Sequence, residues 1–293
     1  MIVVTTPTGN TGRRVVRGLL DRGAPVRVIA RDPSRLPDDV RERVEVVAGS
    51  HADPDVVTKA FAGADTVYWV VAPDRRATDV HAAYAGFTEA ACRAFTEQGV
   101  RRVVGVSALG RGSAVAGEAG LVTASLAMDD LITDTGVHYR SLTMPSFMDN
   151  LLRQAETIRD HGVFFDMLSG DRKLPLCATR DIADVALRLL LDDSWHGRED
   201  VPVLGPEDLS QHDLAAVMTE VLGRPVRYQQ VPEAAFEARM VEVGMSAPFA
   251  RGMAEMMRAK DNGLDNAEPR TPESTTPTTF RQWCEEVLKP AIA

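Results

Sequence analysis

Two rhythms of apolar residues alternate along the first half of the chain. Ile2, Val3 and Val4 form a short unbroken apolar run, and a polar turn follows it. From Arg13 to Asp21 the apolar positions become Val15, Val16, Leu19 and Leu20, which share one face of a helix. Gly23 closes that helix, and residues 25–30 form a second apolar run ending at Arg31. Further runs at 44–48, 65–71, 101–107 and 137–143 predict strands. Helices are predicted between them at 54–62, 77–98 and 122–135, with a short polar helical turn at 35–43. Strands apolar on both faces and separated by helices predict an α/β fold with a doubly wound parallel sheet. Ligands of such sheets sit beyond the C-terminal strand ends. Those ends are Thr6, Arg31, Ala48 to Ser50, Ala72-Pro73, Ser107 to Gly110 and Met144-Pro145.

After Pro145 the rhythm changes. Residues 147–161 predict an amphipathic helix, 162–166 a strand, and 179–191 a helix entered by Arg180-Asp181. Short strands are expected at 201–205 and 226–228, with a helix capped by Ser210 between them. Helices dominate 232–260, a Pro- and Thr-rich loop fills 262–279, and a last helix starts at Thr279. The pattern divides the chain into a Rossmann domain at 1–145 and a small, mostly helical C-terminal lobe at 146–293. The lobe is expected to cover the cleft, and some of its elements can return to the sheet.

The first turn carries the clearest chemistry. Thr5-Thr6-Pro7-Thr8-Gly9-Asn10-Thr11-Gly12 leads from a strand into a helix N-terminus. That arrangement lays a dinucleotide pyrophosphate on backbone N–H groups. The N–H groups of Asn10, Thr11 and Gly12 would face the phosphates, with Thr6, Thr8 and Gly9 lining the turn. A side chain at Gly9 or Gly12 would hold the backbone away from the ligand or from the strand. The glycine pattern is incomplete: Thr6 stands where the fingerprint has a glycine, and Pro7 lacks an N–H. The bland alternative is a strand-to-helix turn without a ligand, and the surrounding strand–helix–strand unit decides against it. Arg31 ends the second strand, where an acid would hold ribose hydroxyls and a base a 2′-phosphate. Together with Arg13 it favours NADP(H) over NAD(H). Ala72, Pro73, Ser107, Pro145 and Phe147 complete the expected cofactor-binding set.

Composition narrows the partners. A net charge of −9 on 293 residues argues against a general nucleic-acid or membrane-surface partner. No apolar run approaches a membrane span, and Met1 runs straight into the first strand, so a cytoplasmic protein without a signal peptide is expected. Cys92, Cys177 and Cys284 are too scattered for a metal or redox pair; they read as core residues, and no metal site is expected. The oligomeric state stays open.

Several segments together resemble the NmrA-like branch of the atypical short-chain dehydrogenases/reductases. They are Val3-Val4-Thr5 with Thr8-Gly9-Asn10-Thr11-Gly12-Arg13, Val28-Ile29-Ala30-Arg31-Asp32-Pro33, Val106-Ser107-Ala108-Leu109-Gly110, Pro145-Ser146-Phe147-Met148-Asp149-Asn150-Leu151, Thr179-Arg180-Asp181-Ile182-Ala183-Asp184, and Leu204-Gly205-Pro206-Glu207. The resemblance covers nearly the whole chain. It implies a Rossmann domain binding NAD(P) and a small C-terminal lobe, in a family divided between NAD(P)H-dependent reductases and proteins that only sense the dinucleotide. The chain departs from the family at Thr6, at Ser50 where relatives often carry an Asp meeting the adenine, and at Met144 where an Arg usually precedes the proline.

One absence is informative. Reductases of this superfamily usually use a Tyr-x-x-x-Lys pair as acid, and Tyr68, Tyr84, Tyr139 and Tyr228 are followed four residues later by Ala72, Thr88, Thr143 and Pro232. From Ser107 to Val137 there is no Tyr, Lys or His. Ser107 is the expected hydrogen-bond donor to a substrate carbonyl, or else a strand-end serine capping a loop. His81 and Tyr84, a bound water or a substrate hydroxyl are the replacement acids. Asp181 is expected to be structural, Tyr68 and Trp69 to be core, and Phe147 and Met148 to be core or cleft wall. The expected function is NADPH-dependent reduction of a quinone or ketone, with a flat, apolar small-molecule substrate suited to the Met-rich stretch from Met240 to Met257. The alternatives are a non-catalytic dinucleotide sensor that binds a protein partner, and, more weakly, an isomerase working through transient oxidation.

Overall fold

Seven strands pair in parallel into one sheet in the computed structural model, which describes residues 1–293. Six are β1 (Ile2–Val4), β2 (Val26–Ala30), β3 (Glu45–Ala48), β4 (Thr66–Trp69), β5 (Arg102–Ala108) and β6 (His138–Met144). Their spatial order is β3-β2-β1-β4-β5-β6, so the winding reverses between β1 and β4. That reversal opens a crevice above the two strands. Thr5 sits at its floor: its hydroxyl donates to the Tyr68 carbonyl at 3.0 Å and accepts the Val70 N–H at 2.8 Å.

The period-2 alternation of each strand feeds two cores. Val4 and Val28 join Val15, Val16 and Leu19 of α1 (Gly12–Asp21) on one face. Val3 and Ile29 face the other way, among Val57 and Phe61, Phe95, and Met128 and Ile132. Those residues belong to α3 (Pro54–Phe61), α4 (Phe87–Glu97) and α5 (Leu121–Asp134), while a one-turn α2 (Asp38–Arg41) precedes β3.

The helix expected at 77–98 starts later. Residues 70–79 are irregular, the Asp79 side chain accepts the Ala82 N–H at 3.0 Å, and a π turn at Ala82–Gly86 leads into α4. The Thr88 hydroxyl donates to the Tyr84 carbonyl at 2.9 Å and accepts from the Trp69 indole at 3.3 Å, which anchors the widened turn to β4.

Beyond Pro145 the expected helix at 147–161 is broken in two. Residues Ser146–Phe147 form β7, a 3₁₀ stretch covers Met148–Gln154, and α6 (Ala155–His161) follows. The reason is tertiary: Phe147 pairs with Cys177, and the Gln154 amide makes two 2.9 Å bonds to the Phe165 backbone that interrupt the helix. The lobe continues with β8 (Val163–Asp166), β9 (Leu174–Cys177, which the sequence pattern did not signal) and α7 (Thr179–Leu191). Next comes β10 (Arg198–Pro202), three residues earlier than expected because it pairs with β6 as the seventh strand. The remaining elements are β11 (Asp208–Leu209), α8 (Gln211–Leu222), β12 (Arg227–Gln230), α9 (Glu233–Glu242), α10 (Ala247–Asp261), α11 (Phe280–Trp283) and α12 (Lys289–Ala291).

Two pieces of the second half thus return to the sheet. β10 extends it, and α7 packs so closely on α1 that a Cβ at Gly18 would lie 2.3 Å from Leu187. Asp181, buried at the start of α7, accepts both the N–H and the hydroxyl of Thr278, which ties the C-terminal loop to this helix. No helix is long and apolar enough to cross a membrane.

A further close contact between the two halves lies where α10 crosses the start of α5. Gly120 has φ +52°, and a Cβ there would lie 2.0 Å from the Gly252 carbonyl oxygen. Gly120→Ala is therefore expected to cost about 2 kcal/mol or more, from backbone strain plus the clash. Urea unfolding measures this, and an unchanged midpoint would show that α10 does not pack there.

Candidate functional site

The first turn has the geometry of an anion cradle. Thr6 is the one non-glycine residue with positive φ, at +49°. The fingerprint glycine is thus missing at a position whose backbone still adopts the glycine-like conformation, at a cost of about 1–3 kcal/mol. Of the two reasons expected for Gly12 the structure shows the one on the strand side: its Cβ would lie 2.2 Å from the Thr6 carbonyl oxygen, just past the end of β1. Gly9 donates to Thr6 at 2.9 Å, and Arg13 donates to Gly9 at 3.0 Å. The N–H groups of Thr8, Asn10, Thr11 and Gly12 have no acceptor in the protein. Beneath the turn, the wholly buried Tyr68 hydroxyl beside Thr11 makes no hydrogen bond of normal geometry, and burial holds its pKa above the usual phenol range. Unpaired donors at a helix N-terminus, beside a backbone that admits no side chain, fit a pyrophosphate.

At the end of β2, Arg31 is exposed and its guanidinium makes no ion pair or hydrogen bond; the same holds for Arg13. The neighbouring residue that sequence reasoning missed is His51. It is buried, its Nε2 donates to the Val70 carbonyl at 3.0 Å, and its ring packs edge-on against Trp69 and Phe87. Burial pushes its pKa down to about 4, the Val70 bond opposes this, and the Arg31 charge lowers it further. A neutral imidazole thus lies beyond β3 where it feels the Arg31 charge, and its place three residues after a strand end was the available signal.

Ser107 is engaged elsewhere than expected. Its hydroxyl donates to Asp129 at 2.6 Å and lies 3.2 Å from the Ser125 hydroxyl. Asp129, with no exposed surface, also accepts from Tyr139 at 2.6 Å and Ser141 at 2.9 Å. A Cβ at Gly105 would lie 2.3 Å from the Tyr139 hydroxyl. The cluster ties β5, β6 and α5 together, and the Ser107 proton points into it. Burial pushes the Asp129 pKa up to about 6, against the three donated hydrogen bonds and the Arg111 charge. Sequence reasoning missed Asp129 because only the α5–β6 packing brings it under Ser107.

The other expected donors differ in setting. His81 is exposed on the surface. Tyr84 is half-buried among Met240, Met253, Met256 and Leu121, and its hydroxyl has no partner in the protein. Burial pushes its pKa up to about 12, and Arg75 opposes the rise. Ala72 and Pro73 follow β4 beside the first turn, while Pro145 is buried and Phe147 half-buried at the far end of the crevice. Phe147 packs on the α1–α7 core. No group of three or more His, Cys, Asp or Glu residues is arranged to hold a metal ion.

Sheet order, crevice and cradle define a Rossmann-type dinucleotide-binding protein. Residues 7–193 match the NAD(P)H-binding family. A (4-alkanoyl-5-oxo-2,5-dihydrofuran-3-yl)methyl phosphate reductase of Streptomyces griseus subsp. griseus is 31% identical over 291 residues, 98% of this chain and 97% of its own. An NAD(P)H azoreductase of Xenophilus azovorans is 29% identical over 258 residues, 87% of this chain and 86% of its own. The structure of a Citrobacter sp. triphenylmethane reductase with NADP(H) superposes with a TM-score of 0.79 at 20% identity, covering 99% of each chain. The chain belongs to the NAD(P)H-binding family, as an NmrA-like atypical short-chain dehydrogenase/reductase, and is an oxidoreductase.

The Asp129 cluster gives a pH signature. Its pKa rises from an ordinary 3.8 to about 6 on folding. Stability from this group is therefore fully present below about pH 4 and is lost as pH rises through about 6, by about 3 kcal/mol. His51, whose pKa falls on folding, acts in the opposite sense and destabilises as pH drops from about 6.5 towards 4. Asp129→Asn is expected to remove the alkaline-side loss, so that the variant's melting temperature rises more steeply between pH 4.5 and 7.5 than the parent's. Parallel pH profiles would show that Asp129 does not change its ionisation on folding.

Proposed function

We propose that the protein reduces a quinone or ketone with NADPH, and that the acceptor itself carries most of the charge that develops. One observation supports this above the rest: the strand-end serine donates its hydrogen bond to Asp129, and no Tyr, Lys or His lies between Ser107 and Val137 to replace it. The bound cofactor supplies the hydride. The chain's task is to hold the pyrophosphate on the free N–H groups of Thr8, Asn10, Thr11 and Gly12, to meet the 2′-phosphate with Arg31 and Arg13, and to keep water from the acceptor with an apolar wall. Tyr84, Leu121, Met240, Met253 and Met256 form that wall. Orientation and water exclusion provide the larger part of the rate in such a site. A conjugated acceptor spreads the negative charge, so a weak donor such as the high-pKa Tyr84 hydroxyl or a water suffices. The relatives agree in kind: one reduces azo compounds, and the substrate of another carries alkanoyl and ring oxo groups.

A dinucleotide sensor is the second reading. It is favoured by α9, which has no buried side chain and is followed by Val243 at 66% exposure, a surface available to a protein partner.

NADPH is expected to bind more tightly than NADH, and Arg31→Ala to reduce that preference about 10-fold or more, as for loss of a charge-assisted bond. Fluorescence titration checks both, and equal affinities in the parent would remove Arg31 from the site. With NADPH and a quinone, Ser107→Ala, Tyr84→Phe and His81→Ala are each expected to lower kcat by less than the ~100-fold of a lost general acid. A single substitution that abolishes turnover with NADPH binding intact would identify a dedicated acid. Tight NADPH binding without oxidation by any quinone or ketone would favour the sensor.

A further inference from the structure

One residue of the second half is hydrogen-bonded to the loop that leaves β4. The loop starts pinned: the Val70 N–H donates to the Thr5 hydroxyl at 2.8 Å, and the Val70 carbonyl accepts His51 at 3.0 Å. The backbone groups of Val71 and Ala72 and the Pro73 carbonyl then have no partner in the protein, and none of the three residues is buried. A turn follows, in which the Asp74 carbonyl accepts the Ala77 N–H at 3.0 Å and the Asp74 carboxylate accepts the Arg76 N–H at 2.9 Å. Two carbonyls of this turn are held by Ser246. Its N–H donates to Arg75 at 2.9 Å, and its hydroxyl donates to Ala77.

Ser246 is itself fixed. It is the N-cap of α10, where its Oγ also accepts the Phe249 N–H at 3.2 Å. Further along, α10 is wedged against the first half: a Cβ at Gly252 would meet Val80 at 3.2 Å, and one at Gly120 would lie 2.0 Å from the Gly252 carbonyl oxygen. The same helix supplies Met253 and Met256 to the apolar wall around Tyr84. One rigid element thus carries the wall and, through one serine, the loop with the unpaired backbone.

We propose that Ser246 is a positioning residue for hydride transfer, an inference that rests on the reductase reading of the Tyr84 wall. By fastening Arg75 and Ala77 to α10, it sets residues 71–73 beside the nicotinamide half of the cofactor and in a fixed relation to the acceptor wall. The strand order gives the direction. The cradle follows β1 and Arg31 ends β2, so the other half of a dinucleotide extends the opposite way, over β4. Misplacing a reactant by about 1 Å costs about 100-fold in rate. Affinity comes from the cradle and the arginines, so the fastening acts on turnover and leaves binding nearly unchanged.

The test compares Ser246→Ala, Ser246→Asp and Ser246→Thr in the full chain. Aspartate keeps the N-cap acceptor but cannot donate to Ala77, threonine keeps both functions, and alanine keeps neither. Ser246→Asp is therefore expected to melt close to the parent, and Ser246→Ala lower. With NADPH and menadione, the aspartate and alanine variants are expected to lower kcat about 10-fold with each KM within about 2-fold, while Ser246→Thr keeps the parent kcat. Without an acceptor, the nicotinamide emission of bound NADPH is expected to change in Ser246→Asp and not in Ser246→Thr, at unchanged affinity. Parent-like kcat and emission in Ser246→Asp would reduce Ser246 to a helix cap and overturn the proposal. A loss carried by NADPH affinity and not by kcat overturns it too, because the loop would then only bind. If the emission follows the expected pattern but the parent does not oxidise NADPH with menadione, the fastening of the loop beside the nicotinamide stands and the reductase reading fails.

Discussion

The structure depends on one close approach, the contact of Gly12 with the Thr6 carbonyl. It brings the start of α1 against the end of β1 and leaves the N–H groups of Thr8, Asn10, Thr11 and Gly12 without internal acceptors. Thr6 must turn left-handed for this to happen, and the Thr5 hydroxyl fixes the strand pair just before the turn. Strain and unpaired donors at one place are unfavourable for an empty protein and favourable for a bound pyrophosphate.

A second polar cluster lies deeper and has the opposite character. Asp129 is surrounded by donors and satisfied within the core. It uses the serine that short-chain reductases place beside the substrate carbonyl, and it does so to hold β5, β6 and α5 in register. The cleft is consequently poor in acids. A site of this composition suits an acceptor that stabilises its own charge. The preference resides in the substrate's electronics more than in a positioned proton.

The sheet was legible because its strands are short, apolar and punctuated by glycine and proline, which fixes their period whatever surrounds them. The cradle was legible because a strand–turn–helix unit is local. Three features were not. The breaks at 82–86 and 147–154 depend on Thr88 bonding Trp69 and on Phe147 pairing with Cys177, contacts remote in sequence. The charged start of β10, Arg198 to Asp200, reads as a loop until β6 provides its ladder. Asp129 and His51 are ordinary residues on a helix and after a strand, and only packing turns one into a buried acceptor and the other into a neutral imidazole near Arg31.

The central claim is hydride transfer without a dedicated side-chain acid. Its most direct test is a single turnover of the NADPH complex with menadione, using cofactor deuterated at both C4 positions, in H₂O and in D₂O. The account predicts a clear isotope effect from the deuterated cofactor and almost none from the solvent, because hydride transfer precedes protonation. A solvent effect as large as the cofactor effect, lost in one side-chain variant, would mean that a residue of the chain delivers the proton in the same step and would contradict the account.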